Sequence, residues 1–271
     1  MGAVGGLANE ILAIAQVIIV SVIIGLGRFY GFTLMFPLFT WIDLQGLPRL
    51  ALSLGFSLPS IIVLHALLRE TGLPATNILL LLVAKEVALG AVFGMILGVP
   101  FWAIQGAADA LDVYRGGSAA NLMDPVNAQE MSVGGTLMGL LTMALFVTMD
   151  GIPQLVDILF RSQDVWPLMT LTPPFDIARL KGLLDVAAGG LVFAIVVIAP
   201  LFMSLFMIDV ALTFAVRGAK SFQIYDLTQV LRGFVLLMIL PIFVVLFADH
   251  LKGYSRTFLL AVRNGLNQLM G

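Results

Sequence analysis

The chain has no cysteine, two histidines and few charges. Without cysteine it forms neither disulfides nor thiolate metal sites. His65 and His250 are too few for a multi-histidine metal centre within one chain. Charged residues make up 11% of the sequence, against about 25% in soluble domains, too few to cover a water-facing surface. The formal net charge is −2, and no basic stripe exists to neutralise phosphates, which argues against nucleic acid as a partner. The first ten residues, Met1 to Glu10, hold no lysine or arginine. They do not read as the charged leader of a cleaved signal peptide, so the first hydrophobic run is expected to stay in the mature protein. Enzyme motifs are also scarce. Gly117-Ser118 does not complete a nucleophile elbow. Tyr225-Asp226 resembles half of an intramembrane aspartyl protease, but no Gly-x-Gly-Asp supplies the second carboxylate. No phosphate-binding glycine loop precedes a Lys-Ser/Thr pair. Neither catalysis nor a cofactor is expected.

What the chain has instead is apolar residues, 60% of the total, against roughly 45–50% in soluble domains. They fall into six stretches: about Ile11–Phe39, Leu47–Leu68, Asn77–Gln105, Val133–Phe160, Leu183–Val216 and Gly233–Ala248. The expected fold is an all-α integral membrane protein, residues 1–271 forming a single membrane-embedded domain of about six long, proline-broken helices or helical hairpins. Pro37, Pro59, Pro100, Pro153, Pro200 and Pro241 sit inside these runs. In lipid, a proline break is tolerated where neighbouring helices, side chains or water re-satisfy the freed carbonyls, so the helices are expected to pack around a cavity or within a larger assembly. Tyr254, Phe258, Val262, Leu266 and Met270 recur every four residues, which marks 254–270 as an amphipathic helix at an interface or against a partner. The Lys/Arg bias between alternate connections is too small to orient the chain.

Several residues carry chemistry. Lys85 and Glu86 lie inside the third apolar run, where each would cost about 2.5–3.5 kcal/mol at a helix centre. Adjacent helix positions point about 100° apart, so the two cannot neutralise one another well, and each is expected to need a partner on another helix or chain, or a place near the interface. Two readings stand: an ion or proton pathway, or an inter-helix or inter-subunit ion pair near a helix end. Glu86, Gly90, Gly94 and Gly98 form one ridge on which another helix can pack closely. Arg28, Asp150, Asp157, Asp185, Asp209 and Arg217 flank or enter apolar runs, as functional charges or as snorkelling and capping groups.

The sharpest local signal is Asp109–Pro125, within the loop expected over 105–132: small residues, a glycine pair, one arginine and one tyrosine between two long apolar runs. Such a segment suits a re-entrant or constricting loop, buried in protein or lining a cavity. Asp112-x-x-Arg115-Gly116-x-Ser118 with Asp124-Pro125 resembles the central signature of the SctT/FliR family of type III secretion export-apparatus proteins, injectisome branch rather than flagellar. The resemblance covers nearly the whole chain. Arg28 with Pro37, Leu-Pro-Arg49, Lys85-Glu86-x-x-x-Gly90-x-x-x-Gly94, Ser162 with Trp166-Pro167, and Ala199-Pro200 with Asp209 and Arg217 are similar to the family's successive segments. The chain departs from the pattern after Arg217, and at Thr213, where the family has glycine.

The resemblance implies a single-copy subunit of an export gate in the bacterial inner membrane. Its partners would be SctR-like and SctS-like subunits, an SctU-like switch protein, membrane lipid and the unfolded polypeptides that are secreted. It also implies that a loop matching Asp109–Pro125 helps close the pore. On that reading Asp112, Tyr114, Arg115, Gly116, Gly117, Ser118, Leu122, Met123, Asp124 and Pro125 are plug candidates, with Tyr114, Arg115, Leu122 and Met123 facing or sealing the pore. The alternative is a stand-alone secondary transporter or channel, which broken helices and mid-membrane charges would suit.

Overall fold

The computed structural model describes residues 2–114, 122–123, 130–174, 181–216 and 224–270, and side chains within 10–114, 132, 134–174, 181–214 and 230–269. The fold is all-α. Its helices are α1 (Gly2–Met35), α2 (Pro37–Trp41), α3 (Gly46–Thr71), α4 (Thr76–Tyr114), α5 (Val133–Thr148), α6 (Gly151–Val165), α7 (Lys181–Val216) and α8 (Ile224–Met270). One two-residue antiparallel pairing, Leu122 with Met131 and Met123 with Glu130, lies between α4 and α5.

Five helical stretches are long and apolar enough to cross a membrane: Glu10–Met35, Gly46–Thr71, Thr76–Tyr114, Lys181–Phe214 and Val230–Leu269. The pair α5–α6, broken at Met149-Asp150, makes a sixth if counted as one span. Asp150 adopts φ 58° at that break, a left-handed conformation that aspartate tolerates better than most residues. Pro59, Pro100, Pro200 and Pro241 lie inside continuous helices, whereas Pro37 opens α2 at its first position.

Three boundaries differ from the sequence reading. The connection expected to start at Gln105 is helix as far as Tyr114. Asp109 and Asp112 belong to that final stretch, and its alanines, Ala107, Ala108 and Ala110, are strong helix formers. The sixth stretch, expected from Gly233, is helical already from Ile224, and the 254–270 segment is the end of α8. Its apolar stripe is covered by the chain itself. Phe258, Val262 and Leu266 are buried, Tyr254 stacks on Phe193, and Arg256, Arg263 and Asn267 are exposed.

The helices group into two compact units. The first comprises Met1–Gly98, Pro153–Leu184 and Ala261–Gly271; the second comprises Val99–Ile152 and Asp185–Leu260. In the first, Ile24, Leu64, Leu68 and Leu82 join α1, α3 and α4 in one core. Thr33 and Ser53 share a 2.9 Å hydrogen bond between α1 and α3. In the second, Ile104, Leu111, Met138, Ile198, Leu205 and Phe247 belong to a core drawn from α4, α5, α7 and α8.

Candidate functional site

Among the described residues, charged side chains are buried or part-buried in both units. In the first, Arg28 is the sole charged residue between Ile11 and Trp41 and is wholly buried. A guanidinium in such a helix needs an anion from elsewhere. Glu86 of α4, also wholly buried, provides it. Arg28 Nε donates to Oε2 at 2.7 Å and Nη2 to Oε1 at 3.1 Å, the two-pronged geometry that favours arginine over lysine. Arg28 Nη1 donates to Ser162 Oγ of α6 at 2.9 Å, and Nη2 to the Trp166 carbonyl at 2.9 Å.

Lys85 completes the cluster. Its Nζ lies 2.7 Å from Glu86 Oε1 and donates to the carbonyls of Pro167, Leu168 and Thr170 at 3.0, 3.2 and 2.9 Å. The expectation that neighbours on one helix could not neutralise each other is corrected here. The four-carbon stem of Lys85 carries the ammonium round to its neighbour's carboxylate, so Glu86 sits between two cations. Trp166 Nε1 donates to the Thr170 carbonyl at 3.0 Å. The Trp166-Pro167 turn is thus held by α1 and α4 together.

Glycines set this geometry. A β-carbon at Gly90 would overlap the Arg28 carbonyl, and one at Gly31 the Val87 carbonyl. One at Gly94 would meet the Phe32 carbonyl oxygen at 2.8 Å, and one at Gly27 would meet Glu86 Cβ at 2.8 Å. The backbones of α1 and α4 therefore touch, as small-residue seams allow in membranes. Gly98, the third glycine of the ridge, is buried. Gly27 and Gly31 were missed in the sequence, although their four-residue spacing beside Arg28 repeats the pattern of the ridge.

In the second unit, polar contacts fix both stems of the segment 115–131. Asp112, in the last turn of α4, is buried. It accepts from Ser132 Oγ, and from the Gly134 backbone N–H at 2.6 Å. Ser132 is the N-cap of α5 and accepts from the Gly135 N–H at 3.0 Å. Asp112 thereby satisfies an orphan donor at a helix start, where negative charge is also favoured by the helix dipole. Two residues on, Tyr114 donates its hydroxyl to Asp209 Oδ2 of α7 at 2.6 Å. Arg232 of α8 donates Nε to Asp209 Oδ1 at 2.7 Å and Nη1 to the Tyr114 carbonyl at 3.0 Å. Its guanidinium lies 5.1 Å from the Tyr114 ring centroid, within cation–π range.

Arg232 is not among the candidates named from the sequence. Its sole signal there was a single arginine opening an apolar run. Arg115, Gly116, Gly117, Ser118, Asp124, Pro125 and Arg217 lie outside the described residues, and of Leu122 and Met123 only the backbone pairing is described. Among the described residues, no three His, Cys, Asp or Glu side chains gather as metal ligands would.

This arrangement of membrane-length helices, with paired charges inside them, coincides with a sequence match. The family described as bacterial export proteins, family 1, matches residues 19–258. The chain belongs to that family. Relatives of this export family include the Yop proteins translocation protein T of Yersinia pestis, 26% identical over 172 residues, 64% of this chain and 66% of the relative. The surface presentation of antigens protein SpaR of Salmonella typhimurium is 23% identical, over 60% of each chain. The flagellar biosynthetic protein FliR of Pectobacterium carotovorum is 26% identical, over 65% of this chain and 67% of the relative. The chain spans just under two thirds of the length of the Yersinia relative and less of the Salmonella one. By name, the relatives are translocation, surface-presentation, flagellar biosynthetic and secretion-system apparatus proteins. By its family and its membrane-length helices the chain is a multi-pass membrane protein of a bacterial export-protein family.

Proposed function

We propose that the chain is an export-gate subunit of a type III protein secretion system in the bacterial inner membrane. It joins SctR-like and SctS-like subunits, beside an SctU-like switch protein, in a pore for unfolded secreted polypeptides. The observation that carries this reading is the family match across residues 19–258. The surface supports it. In the five membrane-length stretches only 17–44% of the most apolar window is buried within the chain, which leaves wide apolar faces for partner helices and lipid. The role is structural, with the charged clusters holding helices in place rather than performing catalysis.

Within that gate, the loop over Asp109–Pro125 helps close the pore. The supporting observation is that its stems are tied down, through Asp112 to the start of α5 and through Tyr114 to Asp209 and Arg232. A segment that seals and reopens needs fixed ends. Native mass spectrometry of the tagged chain, co-expressed with its SctR-like and SctS-like neighbours, tests the assembly. A discrete complex with one copy of the chain is expected; a monomer or homo-oligomer that ignores those neighbours refutes it. Deleting Gly116–Ser118 should make the assembled gate leak ions, and unchanged impermeability removes the plug assignment.

A further inference from the structure

The first unit contains a cavity of about 370 Å³ beside the Arg28 cluster, in the roughly 300–1,000 Å³ range of small-molecule sites. Its walls come from α4, the end of α6 with Trp166, the start of α7 and the end of α8. Apart from Arg28 and Ser162 its lining is mainly apolar, and Phe93, Val165, Leu183, Leu266 and Leu269 are all buried. At the mouth, Val92 and Leu184 are 48% and 61% exposed.

The polar groups that reach the cavity are already committed. Arg28 is bonded to Glu86, Ser162 and the Trp166 carbonyl, and Ser162 also donates to the Leu159 carbonyl at 2.6 Å. An occupant therefore gains no hydrogen bond here, and a polar ligand would lose those it had in water. The side chains at its mouth are apolar and belong to membrane-length helices, so an apolar occupant suits it. We infer that it binds one acyl chain of a membrane phospholipid, which leaves the bilayer between Val92 and Leu184 and ends near Trp166. The bound tail fills space between four elements that otherwise meet across a void. This goes beyond the export-gate reading and does not depend on it.

Trp166 supplies the probe, because Trp41 and Trp102 are the only other tryptophans. The full chain carrying Trp41→Phe and Trp102→Phe is placed in phosphatidylcholine bilayers with brominated or ordinary acyl chains. Bromine should quench Trp166 by at least half, and Val92→Phe with Leu184→Phe, which closes the mouth, should remove most of that quenching. Native mass spectrometry should show one retained phospholipid that the closed variant loses. Equal quenching in open and closed chains, or an unchanged lipid count, overturns the inference. If the closed variant does not fold, the retained lipid and the quenching of the open chain decide. In the assembled complex, loss of both signals would mean that a partner helix takes the cavity, and the lipid site would be rejected there.

Discussion

Replacing Glu86 by glutamine should be the most damaging single change of one atom type in this chain. The side chain is wholly buried and faces the equally buried Arg28 guanidinium at 2.7 Å and the Lys85 ammonium at 2.7 Å. Glutamine keeps the shape and removes the only negative charge between two cations. Leaving a buried charge without its partner costs about 3–5 kcal/mol. At 1.4 kcal/mol per tenfold, that lowers the folded-to-unfolded ratio by roughly a hundred- to a few thousandfold. Unfolding in mixed detergent micelles, followed by tryptophan fluorescence, reads this directly. Arg28→Met should cost a similar amount, because it strands Glu86 and unties Ser162 and the Trp166 carbonyl. Arg28→Met with Glu86→Met should cost less than the two single changes summed, since a matched apolar pair leaves no stranded ion. If E86Q costs under about 1 kcal/mol, or if the single effects simply add, the cluster does not hold α1 to α4 and the argument fails.

Gly90→Leu should abolish recovery of assembled complex on size-exclusion chromatography, because even a β-carbon there overlaps the Arg28 carbonyl; Gly94→Leu should do the same, and normal recovery would refute the seam. Asp112→Ala should cost about 0.5–2 kcal/mol, as loss of a helix cap does, and speed amide exchange in the first turn of α5; unchanged exchange at Gly134 would contradict its hydrogen bond. Arg232→Met should cost about 1–2 kcal/mol, since Asp209 keeps the Tyr114 hydroxyl and the site is partly exposed. Arg232→Lys should recover under half of that loss, and full recovery would show that the guanidinium fork is unimportant.

The sequence disclosed the class of fold because apolar run length and sparse charge are local properties. It also isolated Arg28, Lys85 and Glu86, whose charge is conspicuous in apolar surroundings. It did not disclose that the three meet, since Arg28 and Glu86 are 58 residues apart and no local rule pairs α1 with α4. Gly27 and Gly31 were overlooked for a related reason: a glycine pair is ambiguous until its facing backbone is known. Arg232 is hidden because it falls just outside the apolar stretch read from Gly233. The extension of α4 to Tyr114 was obscured by Asp109 and Asp112, which favour helix starts; here Asp112 serves the start of α5.

The glycine ridge on α4 runs on past Gly94 to Gly98. Gly90 and Gly94 meet the α1 backbone, and Gly98 follows one turn on. If α4 slid by one turn, about 5.4 Å, toward its own N-terminus, Gly94 and Gly98 would take the places of Gly90 and Gly94 without a steric clash from side chains at those two points. In the opposite direction Glu86 would enter the place of Gly90 and jam. Shape alone therefore admits two settings of this helix pair, and the bond between Arg28 and Glu86 selects one of them. The ion pair acts as a detent on a track that is otherwise smooth for one step.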